Sequence, residues 1–340
     1  MGATSKSGQL ATHLGWIIWQ MTILIKMEQT NQTSVSEFFL MGFASYAHLQ
    51  STFFAAFLMS YLFAMFGNFL FIVIIFSDTH LHTPMYFFLV NLSVLDICFT
   101  SCISPKLMAI LLSETKSISY YECMTQMFLL SSALGTEVLL LTVMAFDRYV
   151  AICLPLHYTL VMCKKVYVSL SATVWTVGIL NSMLHVGLIL RLSFSERVFL
   201  DHFFCEIPAV TKVSLSDSHN VKLVTLVADI FLGMMCFFFI IVTYTYIISS
   251  IIRIRSAEKK RKAFSTCASH LLVVSLFFGS IIYTYVLPAL NFGGSNDKVL
   301  SALYAVVSPM LNPMIYSLRN QEVKRALLKI LFKNTLPIRK

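Results

Sequence analysis

Seven stretches of this chain are apolar for twenty residues or more, and they predict seven helices that cross a membrane. The apolar core of a bilayer is about 30 Å thick and a helix rises about 1.5 Å per residue, so about 20 apolar residues cross it. The predicted spans cover residues 52–76, 85–111, 122–153, 166–190, 221–253, 262–287 and 299–318. The pattern therefore predicts an all-α membrane protein, a seven-transmembrane helix bundle over 52–318.

The residues before the first span divide into two parts. Residues 1–26 contain an apolar stretch, 15–25, that is only about half as long as a span, and we interpret them as an N-terminal extension. Residues 27–51 are predicted to be an extracellular segment, with Met27 favoured as the functional start.

The residues after the last span, 319–340, are predicted to form a cytoplasmic amphipathic helix and tail. In 321–332 the apolar side chains share one face and two lysines lie opposite: Val323, Leu327, Ile330 and Leu331 against Lys324 and Lys329. Such a helix is expected to lie along the inner membrane surface, in contact with lipid.

The composition agrees with a membrane protein. Hydrophobic residues make up 57% of the chain and charged residues only 12%, and the mean hydropathy is +0.77. Soluble domains carry about 25% charged residues. The net charge of +9 is therefore interpreted from the positions of the Lys and Arg residues in the loops, and it does not indicate nucleic-acid binding.

The positive charges predict the orientation. With the N-terminus outside, 16 of the 25 Lys and Arg fall on the cytoplasmic side, as expected for a multi-pass plasma-membrane protein. They are Arg148, Lys164, Lys165, Arg253, Arg255, Lys259, Lys260, Arg261, Lys262, Arg319, Lys324, Arg325, Lys329, Lys333, Arg339 and Lys340.

Two Asn-x-Ser/Thr sequences bear on that orientation. Asn31-Gln32-Thr33 predicts glycosylation of Asn31 in an extracellular segment, with a chance match as the alternative. Asn91-Leu92-Ser93 also matches, but it lies inside the second span, where it cannot be used.

A charge pair lies near the end of the third span, in the triplet Asp147-Arg148-Tyr149. Charges inside a bilayer are costly unless they reach the boundary or have a partner. Cys123 lies 25 residues before Arg148, about 37 Å along a helix. The two residues are therefore predicted to lie on opposite sides of the membrane.

Several motifs occur in a fixed order from residue 27 to residue 333, and together they are highly specific. They are Gly67-Asn68, LHTPMYF (81–87), Asp96, MAFDRYVAIC (144–153), PLHY (155–158), KAFSTCASH (262–270) and NPMIYSLRN (312–320). In this order the chain resembles rhodopsin-like G-protein-coupled receptors and, within that class, the odorant receptors.

The resemblance implies a function. The expected protein binds small organic, volatile ligands within the bundle and activates a heterotrimeric G protein of the stimulatory, olfactory type. The cyclic AMP level then rises, and the expected location is the cilia of olfactory sensory neurons. A transporter or channel is the alternative, but transporters usually have repeated broken helices, whereas this sequence has one Asn-Pro break and no repeat. An enzyme is not expected, since the chain has no phosphate loop, zinc-protease or nucleophile-elbow motif.

The chain departs from the family pattern at several positions. Phe278 stands where a tyrosine usually precedes the span-six glycine, and Thr243 replaces the serine before Tyr244. In the second extracellular loop, two of the usual three cysteines are replaced, by Ser195 and Leu215. Those two usually pair with each other, so both halves of one bridge are missing.

Two of the eight cysteines, Cys123 and Cys205, fall in extracellular positions on the predicted topology. The extracellular space is oxidising, so we expect them to pair and to hold the loop over the mouth of the bundle as a lid. An alternative is that the segment HFFCE (202–206) binds a soft metal such as copper. The disulfide is favoured, because a bridged cysteine cannot supply a thiolate.

Asp96 and Glu137 are acids deep in predicted spans, where such groups usually face the bundle interior. With Asn68 and Asn312 they predict a polar core. By resemblance we favour a modulatory sodium ion there as the one non-protein component. The alternatives are a proton shared by the two acids and a hydrogen-bond network that only fixes the helices.

The resemblance also implies an activation switch. Asp147 and Arg148 are expected to form the polar latch of the inactive state. Pro313 lacks a backbone donor and breaks the ladder of span seven. With Asn312, Tyr316 and Tyr244 it predicts a bistable joint, with a static kink as the alternative. The basic run 259–262 suits a G protein or acidic lipids, or acts as a membrane anchor alone.

The ligand cavity is implied by resemblance to lie among spans three to seven under the lid. Its walls are expected to be mostly apolar with a few polar points, as suits small organic molecules. The predicted ligand-binding residues are Met127, Ser131, Leu134, Asn181, His185, Asp229, Ile281, Ile282, Tyr285 and Ala305. Asp229 stands out as an acid that an amine ligand would pair with; the alternatives are a neutral carboxyl group or one that faces a loop water.

Overall fold

Long helices dominate the fold. The computed structural model describes residues 35–42, 48–113, 116–286, 297–319 and 321–332. Its eight principal helices are α1 (Gln50–Ser77), α2 (Pro84–Leu112), α3 (Tyr120–Cys153), α4 (Lys164–Ile189), α5 (His219–Ile252), α6 (Ala257–Ile281), α7 (Asp297–Arg319) and α8 (Gln321–Phe332). The extension 1–26, Asn31 and the tail 333–340 lie outside the described residues.

Seven of these helices form the bundle that the sequence predicts. In the described part of the chain, α1 to α6 are long and apolar enough to cross a membrane. The seventh, α7, is 23 residues long and packs against α1, α2 and α6. The predicted spans agree with the observed helices to within a few residues, and the seven-helix bundle is confirmed.

Helix α6 departs most from its predicted span. It begins at Ala257 rather than at residue 262, because the Ser256 hydroxyl caps it by accepting from the Lys259 amide at 3.4 Å. The charged residues of 257–262 are good helix formers, so the helix extends beyond its apolar part. At its other end, α6 continues into a π-helical turn over Ile282–Val286.

The helix starts explain why other boundaries fall where they do. Ser119 and Glu122 form a reciprocal capping box at the start of α3, and Glu122 also pairs with Lys106 of α2 at 2.8 Å. Pro84 occupies the first turn of α2, where its missing amide donor is not needed.

A three-stranded sheet at one end of the bundle was not predicted. Strand β1 (Glu37–Leu40) lies between β2 (Ser117–Ser119), with which it is antiparallel, and β3 (Val198–Leu200), with which it is parallel. In the register, Phe38 lies opposite Ile118 on one side and Val198 on the other. The sheet joins the N-terminal segment to the loops that precede α3 and α5.

Helix α3 is the centre of the bundle, in contact with α2, α4, α5 and α6. Against α4 the approach is close because Gly178 has no side chain: a Cβ there would lie 2.9 Å from the Thr136 amide nitrogen and 3.1 Å from the Ser132 carbonyl oxygen. One turn away, the Ser182 hydroxyl donates to the Phe128 carbonyl at 2.6 Å. Small residues at such contacts let helices in a membrane pack and hydrogen-bond.

Helices α2 and α4 are also joined by hydrogen bonds. The Asn91 side-chain oxygen accepts from the Ser171 hydroxyl at 2.8 Å and from the Trp175 indole at 3.0 Å. Asn91 is thus an interhelical polar contact, in agreement with its expected unavailability for glycosylation.

Candidate ligand site and cytoplasmic switch

The loop before α5 is fixed over the sheet end of the bundle. Cys123, at the start of α3, and Cys205 form the predicted disulfide, with Cα atoms 5.4 Å apart. The Cys205 amide also donates to the buried Gln126 side chain at 2.9 Å, and Gln126 donates to the Cys102 carbonyl at 3.2 Å. The loop is therefore tied to α3 by a covalent bond and to α2 through Gln126. We call this loop, with the sheet, the lid.

The disulfide removes the support for a metal site at HFFCE (202–206). The Cys205 sulfur is bonded to Cys123, and the His202 ring faces the Phe204 carbonyl oxygen and the Glu206 carboxylate, each at 3.1 Å. Among the described residues, no three His, Cys, Asp or Glu side chains are grouped so as to hold a metal ion.

Three of the predicted ligand-site residues meet between α4 and α5. Asp229 Oδ1 lies 3.4 Å from Asn181 Nδ2 and 3.5 Å from His185 Nε2. The His185 side chain is 1% exposed, and neither ring nitrogen makes a hydrogen bond of good geometry in the described part of the chain. We call Asn181, His185 and Asp229 the α4–α5 polar cluster.

The remaining predicted ligand residues are distributed over α3, α6 and α7. Met127 is fully buried, and Ala305 is buried too. Ser131, Leu134 and Ile281 are half-buried, with Leu134 and Ile281 packed on the main core, while Ile282 is exposed. The side chain of Tyr285 lies outside the described residues. Ligand contact by these residues stays a prediction.

A polar core lies deeper in the bundle, where the sequence predicts it. The Asn312 amide of α7 donates to both carboxylate oxygens of Asp96 at 3.1 Å, and Glu137 also interacts with Asn312. The Asn68 amide donates to the Pro309 carbonyl at 2.9 Å. In the described structure, buried Asn68 Oδ1 and Glu137 Oε1 have no hydrogen-bond partner, so the core has unused acceptors.

The latch at the opposite end of α3 from the lid has the predicted geometry and one further member. The Arg148 guanidinium folds back and donates to the adjacent Asp147 carboxylate, and the Tyr158 hydroxyl donates to its other oxygen at 2.8 Å. Burial and the nearby Asp147 carboxylate raise the pKa of Tyr158, so its hydroxyl stays a donor. Tyr158 lies on the one-turn helix Tyr158–Val161, which brings it back to Asp147.

A second polar contact joins three helices close to the latch. The buried His270 of α6 lies with Nε2 3.1 Å from the Leu141 carbonyl of α3 and with Nδ1 2.8 Å from the Tyr244 hydroxyl of α5. A carbonyl only accepts, so Nε2 carries the proton and Nδ1 accepts from Tyr244. The Tyr244 and His270 rings also stack, 5.6 Å apart and almost parallel. We call this three-helix contact the His270 clamp.

The predicted joint in α7 packs against α1. Pro309 and Pro313 both lie inside α7, and Pro313 Cγ lies 3.3 Å from where a Cβ of Gly67 would stand. Tyr316, one turn further on, is buried, and its hydroxyl has no hydrogen-bond partner in the described structure. Pro313 and Tyr316 thus continue from Asn312 of the polar core towards the latch end of the bundle.

Three polar residues of these sites were not singled out from the sequence. His270 and Tyr158 belong to the motifs KAFSTCASH and PLHY. The sequence feature that could have identified them is that each is a polar side chain inside or beside an apolar span. The one sequence feature that pointed to Gln126 is its position three residues after Cys123.

The fold defines the class of protein. The structure resembles the crystal structure of squid rhodopsin with a TM-score of 0.67, over 92% of this chain and 86% of that chain. The sequences are 16% identical, so this likeness concerns the fold alone. The bundle therefore has the seven-helix fold of rhodopsin.

The sequence comparisons define the family. A family model described as "Olfactory receptor" matches residues 57–334. Olfactory receptor 1G1 of Gorilla gorilla gorilla is 46% identical over 306 residues, 90% of this chain and 98% of that protein. Olfactory receptor-like protein I9 of Rattus norvegicus is 45% identical over 313 residues, 92% and 99% of the two chains.

The chain therefore belongs to the olfactory receptor family. It is a multi-pass membrane protein and a signalling receptor rather than an enzyme. The fold and the family inferred from the motifs are both confirmed.

Proposed function

We propose that this receptor binds small volatile organic molecules in the lid half of the bundle and activates a stimulatory G protein, raising cyclic AMP. The orientation supporting this role has the lid and N-terminal segment outside the cell and Arg148 in the cytosol. The positive charges of the later loops favour it. The proposed location is the ciliary plasma membrane of olfactory sensory neurons.

The observation that carries the proposal is that the latch and the His270 clamp lie close together. Both are polar contacts that tie α3 at one end of the bundle, and the clamp involves α5 and α6 as well. An opening of α6 breaks the clamp and makes space for a G-protein segment beside Arg148, which in this state donates to Asp147. A ligand bound at the opposite end shifts this equilibrium by the difference between its affinities for the two states.

The test is a cyclic AMP assay in cells that express the full receptor at their surface. Arg148→Ala is expected to abolish the ligand response while surface level stays that of the wild type. Arg191→Ala is the matched control, because Arg191 is exposed at the lid end of α4. A full cyclic AMP response from surface-expressed Arg148→Ala contradicts the proposal.

Ligand potency is proposed to depend on Ser131, Asn181, Ile281 and Tyr285 more than on any cytoplasmic loop residue. Loss of one hydrogen bond to a neutral ligand costs about 0.5–1.5 kcal/mol, or about two- to tenfold in potency. Ser131→Ala and Tyr285→Phe are therefore expected to shift the dose–response curve at constant surface level. Ligands whose potency ignores all four substitutions would place the site elsewhere.

We also propose a modulatory sodium ion at the polar core. Two buried carboxyl groups, with the unused oxygens Asn68 Oδ1 and Glu137 Oε1, supply the oxygen ligands that a hard cation prefers. Asp96→Asn or Glu137→Gln is then expected to remove the dependence of the response on sodium concentration. A wild-type response that is independent of sodium would leave the core as a packing network.

A further inference from the structure

Asp229 lies in the middle of the face of α5 that points into the protein. That face repeats every three or four residues, and its buried members include Thr225, Cys236, Ile240 and Thr243. Asp229 follows Thr225 by four residues and precedes Cys236 by seven, so its side chain leaves the helix in the same direction.

The exposure of Asp229 does not fit its position on that face. Its side chain is 55% exposed, whereas Thr225 and Cys236 on the same face are each 5% exposed. The contacts of Asp229 are with α4, so this exposure means that α4 and α5 leave a gap in front of the carboxylate. The gap therefore lies at the level of Asp229, next to Asn181 and His185 of α4.

The carboxylate in this gap is poorly paired. A carboxylate accepts about four hydrogen bonds. Its contacts with Asn181 and His185 fall on the same oxygen and are long, 3.4 and 3.5 Å. Across the described residues, no Lys or Arg lies within ion-pair distance of Asp229.

The neighbouring histidine is also poorly hydrogen-bonded. His185 is 1% exposed, and in the described structure neither ring nitrogen has a hydrogen-bond partner of good geometry. Buried polar groups are normally hydrogen-bonded, and a charge inside a membrane is normally paired. Asp229 lacks a positive partner and His185 lacks a hydrogen-bond partner, and a small cation that donates hydrogen bonds would supply both.

We infer that the α4–α5 polar cluster recognises the ammonium group of protonated aliphatic amines, with Asp229 as the counter-ion. The ammonium donates up to three hydrogen bonds, which the free capacity of the Asp229 carboxylate can accept, and the alkyl part lies along the apolar walls. A carboxylic acid of the same size is repelled by Asp229. This inference rests on the proposed function, since it names the ligand class of the proposed site.

The test compares hexylamine with hexan-1-ol, which has the same length but no charge. With full-length receptor in cells, hexylamine is expected to raise cyclic AMP at lower concentration than hexan-1-ol. Asp229→Asn keeps the shape but removes the charge, so amine potency is expected to fall about ten- to a hundredfold. Potency of neutral agonists is expected to stay within about twofold.

Two variants control for structure. Asp229→Glu keeps the charge and is expected to retain the amine response. Asp217→Asn removes the charge of an exposed carboxylate just before the same helix, one that accepts from the His219 amide at 2.8 Å, and is expected to leave the response unchanged.

Binding measured without signalling separates this inference from the proposed function. Hexylamine is expected to raise the thermal unfolding temperature of purified receptor in nanodiscs, and of Asp229→Glu, but not of Asp229→Asn. Amine binding without a rise in cyclic AMP would support the inference and would contradict the proposed coupling to a stimulatory G protein. Responses to neutral odorants with no amine binding, or amine binding that Asp229→Asn leaves intact, would overturn the inference alone.

Discussion

At the scale of single residues, the packing of the bundle depends on a few positions where only one size or polarity of residue fits. Gly178 lets α4 approach the backbone of α3 at Ser132 and Thr136. His270 needs one donor and one acceptor nitrogen to reach two helices at once. Neither requirement shows in the hydropathy of the spans, which is why these residues were absent from the sequence-based predictions.

Gly178→Ala is expected to lower stability. The added Cβ meets backbone atoms of α3 at about 3 Å, so the two helices must separate, and overpacking of this kind costs about 1–3 kcal/mol. The measurement is thermal unfolding of the receptor in detergent, together with its surface level in cells. Gly187→Ala is the control and is expected to be neutral, because in the described structure nothing beyond the adjacent turns of its own helix lies within 4 Å of the added Cβ. Equal behaviour of the two variants would show that the α3–α4 contact tolerates separation.

At the scale of helices, polar contacts decide which elements move together. Most of the helical boundaries and the polar core were predictable, because length, apolarity and deep acids are visible in sequence. The Ser119 capping box was visible as well, as Ser119 followed three residues later by Glu122. The His270 clamp was not, because it depends on how three helices separated in sequence are placed in space.

Loss of the His270 clamp is expected to favour the open state of α6. His270→Phe keeps an aromatic ring against Tyr244 but removes the bonds to Leu141 and Tyr244, each worth about 0.5–1.5 kcal/mol. Ligand-independent cyclic AMP is therefore expected to rise several-fold. Ser269→Ala is the control, since the Ser269 hydroxyl bonds within its own helix to the Ser265 carbonyl. Unchanged basal cyclic AMP in a well-expressed His270→Phe receptor would mean that the clamp does not hold α6.

Helix α8 is tethered to the turn between α1 and α2, and the tether is expected to depend on pH. The Lys329 ammonium lies 3.0 Å from the Asp78 carboxylate, and its hydrogen bond lowers the pKa of Asp78. The attraction is therefore fully present above the ordinary pKa of an aspartate and is lost as the pH falls through the lowered value. Spin-label distances between α8 and that turn are expected to lengthen in Lys329→Ala at neutral pH.

Lys324→Ala is the control for the tether, because no carboxylate lies within ion-pair distance of Lys324 in the described part of the chain. The Tyr86 hydroxyl also holds α8, by donating to Glu322 at 3.0 Å. Identical distance distributions in wild type and Lys329→Ala would assign the position of α8 to Tyr86 and to apolar packing.

At the scale of the whole molecule, the bundle was predictable and the lid only in part. The pairing of Cys123 with Cys205 followed from the topology. The sheet did not, because its strands are only three or four residues long and their partners come from three separate segments. Strand β1 is central, yet Phe38 and Phe39 lack the clear alternation that marks a half-buried strand.

The disulfide is expected to stabilise the lid as a unit. It closes a sequence separation of 82 residues, and bridges of this kind contribute about 2–4 kcal/mol. Cys123→Ser and Cys205→Ser are each expected to reduce surface delivery, and the double variant is expected to be no worse than either single one. Cys163→Ser, at an exposed free cysteine, serves as the control. Additive losses in the double variant would show that the two cysteines act independently.

The central place of β1 in the sheet has a consequence for biosynthesis. The strand emerges early from the ribosome, but its parallel partner, Val198–Leu200, is translated only after four bundle helices have been made. At about 5–20 residues per second, this delay is on the order of ten seconds. Throughout that time, Phe38, which is fully buried in the finished protein, lacks its β3 neighbour, and until Ser117–Ser119 is made it lacks β2 as well. An apolar strand without its partners is prone to aggregate, so the folding yield is expected to depend on how soon Val198–Leu200 follows it in synthesis.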